Sequence, residues 1–125
     1  MRYDKLILTI LALAAIHLPP LHAADSKAIT QLRNLTETDQ LDQRCDLEGM
    51  ERLKADKVIA YTFSNPVRTA TEVMAAGAVF RRNGEWYRLS YECKTSEDRM
   101  NVISFNYRIG SRIPHEEWSN LFLYP

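Results

Sequence analysis

Histidine and cysteine are both scarce in this chain. Histidine occurs at 17, 22 and 115, and cysteine only at 45 and 93, in 125 residues. A zinc site needs three or four ligands, and this supply does not reach that number once the cysteines are paired. There is no C-x-x-C spacing, and the cationic neighbours of the two thiols are Arg44 and Lys94 alone. That argues for a structural disulfide over a redox pair. The four glycines stand apart at 49, 77, 84 and 110, so no phosphate-cradling glycine loop is present. Sixteen basic residues balance sixteen acidic ones, which gives no general case for nucleic acid or an anionic membrane as partner. The adjacent carboxylates Glu97-Asp98 and Glu116-Glu117 fall on polar turns and read as solvated. A triad would need His115 beside Ser111, Ser119 or a bonded cysteine. No catalytic residue, metal ligand or cofactor site is assigned.

The one long apolar run covers residues 6–16, after Arg2 and Lys5. Pro19-Pro20 breaks it, and Leu21-His22-Ala23-Ala24-Asp25 offers small residues for processing. This is the layout of a secretory signal peptide over 1–23, with cleavage after Ala23 and Ala24 as the second choice. The run is shorter than the roughly 20 residues of a membrane span, which disfavours a retained anchor. No cysteine follows it, which argues against a lipoprotein. Cleavage leaves 102 residues, 24–125, as one domain carrying 14 basic and 15 acidic residues, net −1. His115 becomes the sole histidine. Periplasmic or secreted localisation follows. Two cysteines in an exported chain pair. A Cys45–Cys93 bond closes a 48-residue loop. In the chain-entropy account that contributes about 4 kcal/mol.

Residues 26–34 can open a helix. Residues 36–54 form a stronger one, capped by Thr36 or Thr38, with Glu37 and Asp39 at the positive end of its dipole. Leu41, Cys45, Met50 and Leu53 approximate its apolar face, and Gly49 marks a kink or a close approach to a sheet. Residues 58–64 are β-branched and aromatic, hence a strand ended by Asn65-Pro66. Residues 69–77 fit a strand or an extended connection. Two strands over 78–93 meet at Asn83-Gly84, a type I′ turn. Residues 101–109 alternate, with Ile103, Phe105, Tyr107 and Ile109 on one side. Pro114 begins a short helical turn, and Trp118, Leu121, Phe122 and Tyr124 can plug the sheet edge. Neither repeats nor a low-complexity linker is seen. The expected fold is α+β: a helix packed on an antiparallel meander of three to five strands.

The turn pairs Arg81 with Trp86, Phe80 with Tyr87 and Ala78 with Leu89. Matching apolar faces across the next hairpin favours Tyr91 with Ile103, Leu89 with Phe105 and Tyr87 with Tyr107, and so Trp86 with Arg108. An Arg81–Trp86–Arg108 row would then face solvent, with Arg88, Asn106, Ser90 and Ser104 beside it. Trp and Arg are interface anchors, so this face is the candidate surface for an anionic or saccharide ligand or an envelope protein. The plainer alternative is a solvated face, with Trp86 shielded by arginine stems.

The blocks at 41–50, 58–61, 84–93 (GEWYRLSYEC), 104–110 and 113–118 together resemble the domain-of-unknown-function family 930, small exported proteins of alphaproteobacteria. The resemblance covers about residues 29–118. It implies export and the cysteine pair, and brings no activity or functional residue. A bacterial origin also sets aside the glycosylation sequon Asn34-Leu35-Thr36. The expected function is a non-enzymatic envelope binding module using the outer sheet face. The runner-up is a small hydrolase or enzyme inhibitor with its site in loops 94–99 and 110–117. A purely structural envelope protein is the third option.

Overall fold

A computed structural model describes residues 22, 23 and 25–125. Apart from His22 and Ala23, the expected leader lies outside the described residues. Strand β1, His22–Ala23, is followed by helices α1, Ser26–Leu32, and α2, Glu37–Leu53. Then come β2, Lys57–Ile59, β3, Val67–Arg68, β4, Glu72–Arg82, β5, Glu85–Thr95, and β6, Asn101–Arg112. Two 3-10 turns, His115–Glu117 and Ser119–Leu121, end the chain. The sheet is antiparallel in the order β1-β6-β5-β4-β2, with β3 paired to the far end of β4. The fold is α+β, as helical segments followed by hairpin-connected strands predict.

α2 starts where the sequence supplies a cap: the Thr36 hydroxyl accepts from the Asp39 N–H at 3.3 Å. Its buried side carries Leu41, Cys45 and Leu53. Gly49 lies on the same side, and a Cβ there would stand 3.2 Å from Phe105 and 3.3 Å from Val58. A side chain there would press both neighbours back by a few tenths of an ångström, so Gly49 marks a close approach of helix to sheet. Cys45 and Cys93 are bonded, tying α2 to the C-terminal end of β5. Phe80, Leu89, Tyr91, Val102 and Phe105 complete this helix-side core.

The turn between β4 and β5 is formed as expected. Asn83 and Gly84 have φ of 52° and 76°, and the pairs Arg81–Trp86, Phe80–Tyr87 and Ala78–Leu89 are all present. Residues 69–77 resolve in favour of strand from Glu72 onward, with a bulge between Ala75 and Ala78. Strand β2 is shorter than expected: it ends at Ile59, and residues 60–66 fold back across β4. There the Phe63 N–H donates to the Gly77 carbonyl at 2.8 Å. A side chain on Gly77 would run into Ser64, 2.4 Å from its backbone nitrogen.

The β5–β6 register differs from the expectation by four residues. Tyr91 pairs with Tyr107, Leu89 with Ile109 and Ser90 with Arg108. Apolar alternation alone tolerates any even shift, because every even shift keeps the same side chains on the same face. The observed ladder carries two irregularities, one between Tyr87 and Leu89 and one near Ile103, and at the second Val102 rather than Ile103 enters the core with Phe105.

Candidate functional site

The outer sheet face is not left bare. Ile113, Trp118 and Leu123 pack on Val79 and Trp86 as a second small core, with Phe63 and Leu121 at its margin. Trp86 is 0 % exposed. Its indole N–H donates to the Tyr124 carbonyl at 2.8 Å, and its own carbonyl accepts from the Ile113 N–H at 2.8 Å. The Trp118 indole donates to the Ile113 carbonyl at 3.0 Å. This corrects the expectation of a solvent-facing Trp86. The indole does point away from α2, but the C-terminal segment lies over it. Residues 113–125 carry enough apolar surface to cover the face, whereas the sequence pattern alone sets them at the sheet edge. Phe122, expected in that plug, is 90 % exposed.

Arg81 belongs to the same cover. It donates to Asp56 at 3.0 Å and to the Pro125 carbonyl at 3.1 Å. Its guanidinium sits 4.8 Å from the Tyr124 ring centroid and 5.4 Å from that of Trp86. Asp56, hydrogen-bonded by this guanidinium, is held below the usual carboxylate range. The Arg81–Trp86 pair is therefore formed, but as architecture. The third member of the expected row is absent, since Arg108 stands opposite Ser90.

The open part of the face lies further along β5 and β6. Two adjoining shallow grooves, of about 310 and 170 Å³, run over it. The larger is lined by Met74, Ser90, Glu92, Asn106 and Arg108, and the smaller by Phe63, Arg88 and Arg108. Three of the five residues expected to bind, Arg88, Asn106 and Arg108, thus meet on one exposed surface. Arg88 is steadied by Phe63, whose ring centroid lies 3.8 Å from the guanidinium carbon.

Four of the six strand arginines are tied down. Arg68 bonds Asp42, Arg81 bonds Asp56, Arg82 bonds the Leu53 carbonyl and Arg112 bonds Glu85. Among the described residues Arg88 and Arg108 make no ion pair or hydrogen bond to protein. Glu92, opposite Asn106, is the carboxylate of the larger groove. The surface therefore presents two guanidinium forks without ion-pair partners and a hydroxyl toward one end, and the Asn106 amide beside the Glu92 carboxylate toward the other.

The loops around 94–99 and 110–117 are internally satisfied. Asp98 accepts from the Ser96 hydroxyl and the Met100 N–H, which hold its carboxyl below the ordinary range. His115 Nε2 meets Glu85 at 2.9 Å, and its ring lies against Trp118. The His115 contact is the first cause lowering the Glu85 carboxyl. Ser111 and Ser119 make no hydrogen bond to His115 among the described residues.

Two charged features on the helix side escape a reading of the sequence. Arg44 and Glu48, an i,i+4 pair, are 1 % and 0 % exposed and 3.2 Å apart. Asp46 is pushed up to about 7, chiefly by burial and then by the charge of Asp42, while the Tyr91 hydroxyl 3.4 Å away works against the shift. The i,i+4 spacing is the available signal for the first; for the second the sequence offers the i,i+4 neighbour Asp42 but not the burial.

Among the described residues no group of three or more His, Cys, Asp or Glu could hold a metal. No helix there is long and apolar enough to cross a membrane.

The profile of the family Domain of Unknown Function (DUF930) matches residues 32–123. The chain belongs to this family. No curated protein and no solved structure is detectably similar. The DUF930 match takes in α2, strands β2 to β6 and most of the C-terminal cover, so both small cores and the open groove lie within the family's span.

Proposed function

We propose that this chain is exported and works as a non-enzymatic binding module. The ligand class is anionic, bearing a carboxylate or phosphate, and the site is the open groove on β5 and β6. One observation carries the reading: among the described residues Arg88 and Arg108 are the strand arginines with no ion-pair or hydrogen-bond partner, and they line the groove with Ser90 and Asn106. A guanidinium fork matches a carboxylate or phosphate with two parallel hydrogen bonds. Phe63 holds Arg88 in place before any ligand arrives, which reduces the ordering cost of binding. Ser90, Asn106 and Glu92 can serve hydroxyl groups on the same ligand. The groove is shallow, so the affinity fits a small ligand or one unit of a longer acidic saccharide.

Export is supported by the leader-like residues 1–23 and by the disulfide, which persists in oxidising compartments. Fractionation with N-terminal sequencing should recover a chain beginning at Ala24 from the periplasm or medium. A chain still beginning at Met1 in the cytoplasm would refute export.

Binding is tested by amide NMR titration with inorganic phosphate, galacturonate and, as a neutral control, glucose. The anions should move the Ser90, Asn106 and Arg108 amides at millimolar concentration, and glucose should not. Arg88→Ala with Arg108→Ala should abolish the shifts without unfolding the protein. Equal shifts in the double variant would sink the assignment.

A further inference from the structure

Strand β6 is the penultimate strand of the sheet only where β1 covers it. Among the described residues β1 pairs with Asn101 and Val102, and no described strand lies beside residues 103–112 of β6 on that side. This is a long edge for a protein to leave uncovered, because its outward backbone groups are ready to pair with another strand. It also carries apolar side chains: Tyr107 and Ile109 are each 44 % exposed.

We propose that this edge pairs with the same edge of a second copy, antiparallel about a two-fold axis at Tyr107. Three features of the strand favour a second copy as the occupant. The stretch beside which no described strand lies is 103–112 with β1 in place, and 101–112 in a chain that begins at Ala24; Tyr107 stands near the middle of both, so a two-fold there uses most of the edge. In that register Phe105 faces Ile109 of the other copy, Tyr107 faces Tyr107, and the apolar row on the helix side continues unbroken across the axis. On the outer side Arg108 faces Asn106, and no charge meets its like, which would oppose pairing. A two-fold edge contact closes on itself, so the assembly stops at two.

The pairing bears on the groove as well. It brings Asn106 of one copy beside Arg108 of the other, so the two open grooves join across the axis into one longer surface with four free guanidinium groups. This consequence rests on the anion-binding reading; the pairing itself does not.

The test is sedimentation equilibrium of the purified protein without ligand. A single strand pairing buries less than the about 800 Å² per partner of a standard interface, so a dimer of roughly micromolar affinity is expected. Tyr107→Glu places two carboxylates on the axis and should yield monomer, with circular dichroism unchanged because the side chain is half-exposed. Asn106→Asp sets a new carboxylate opposite Arg108 of the other copy, twice per dimer. At about 0.5 kcal/mol for each such contact, association should tighten roughly fivefold at low salt. Monomer at all concentrations up to about 1 mM would overturn the proposal. So would a dimer that survives Tyr107→Glu or ignores Asn106→Asp, since its contact would lie elsewhere. A monomer that takes up an extended peptide along β6 would also overturn it, in favour of a foreign strand. Failure of anion binding leaves these outcomes unaffected.

Discussion

Replacing Glu48 by leucine should cost this domain about 4 kcal/mol. Glu48 lies in the interface between helix and sheet. It contacts Arg44 at 3.2 Å and Arg52 at 2.8 Å, and Arg44 in turn donates to the Met100 carbonyl at 2.9 Å. Breaking a buried pair from one side strands a charge where water cannot reach it, a loss of about 3–5 kcal/mol. Arg52 is half-exposed and can turn to solvent; Arg44 cannot. Arg44→Met should therefore cost less, about 2–3 kcal/mol, since Arg52 remains to neutralise Glu48 and the Met100 carbonyl loses one donor. The double variant removes both charges and should fall within about 1 kcal/mol of the parent, because apolar side chains of similar volume substitute well for a buried pair. The single costs would then be non-additive by several kcal/mol. Urea unfolding with the disulfide intact measures this. At an m-value of about 1.5 kcal/mol/M, Glu48→Leu should lower the midpoint by about 2–3 M with m unchanged. If Glu48→Leu costs under about 1 kcal/mol, or the double variant costs the sum of the singles, the account of a mutually dependent buried pair is wrong.

Three further expectations concern other parts of the structure. Asp46, pushed up to about 7 by burial, binds its proton more tightly folded than unfolded, so its contribution to stability is present in full below about pH 4 and is lost as pH rises to about 7. The full difference is about 4 kcal/mol, reduced to about 2 by partial solvent access; Asp46→Asn should raise stability at pH 8 and flatten the profile between about pH 4 and 7, and an unchanged profile would contradict it. Gly77→Ala forces a Cβ to within 2.4 Å of the Ser64 backbone nitrogen, which should cost about 1–3 kcal/mol and lower the melting temperature; a neutral result would mean that residues 60–66 do not rest on β4. Trp86→Phe takes the indole donor from the Tyr124 carbonyl, so hydrogen exchange at 118–125 should rise while α2 amides are unaffected; equal exchange at 118–125 would place the C-terminal cover elsewhere.

Much of this protein is already determined by local chemistry along the chain. Thr36 as a cap, the 3.6-residue spacing of Leu41 and Cys45, the Asn83-Gly84 turn and the alternation through β5 each rest on interactions within a few residues, and each stands in the fold as read. The cysteine pair needed no coordinates either, because there is one way to join two cysteines. Tertiary structure decided the rest. Alternation assigns a side chain to a face but leaves open what lies over that face, so Trp86 could be placed opposite α2 while its cover, the distant residues 113–125, could not. Alternation also permits every even register, and the one the folded chain adopts sets Arg108 next to Ser90 rather than Trp86. The groove with Arg88 and Arg108 is the product of those two decisions. Both depend on how surfaces far apart in the chain exclude water together, and no short stretch of sequence records that.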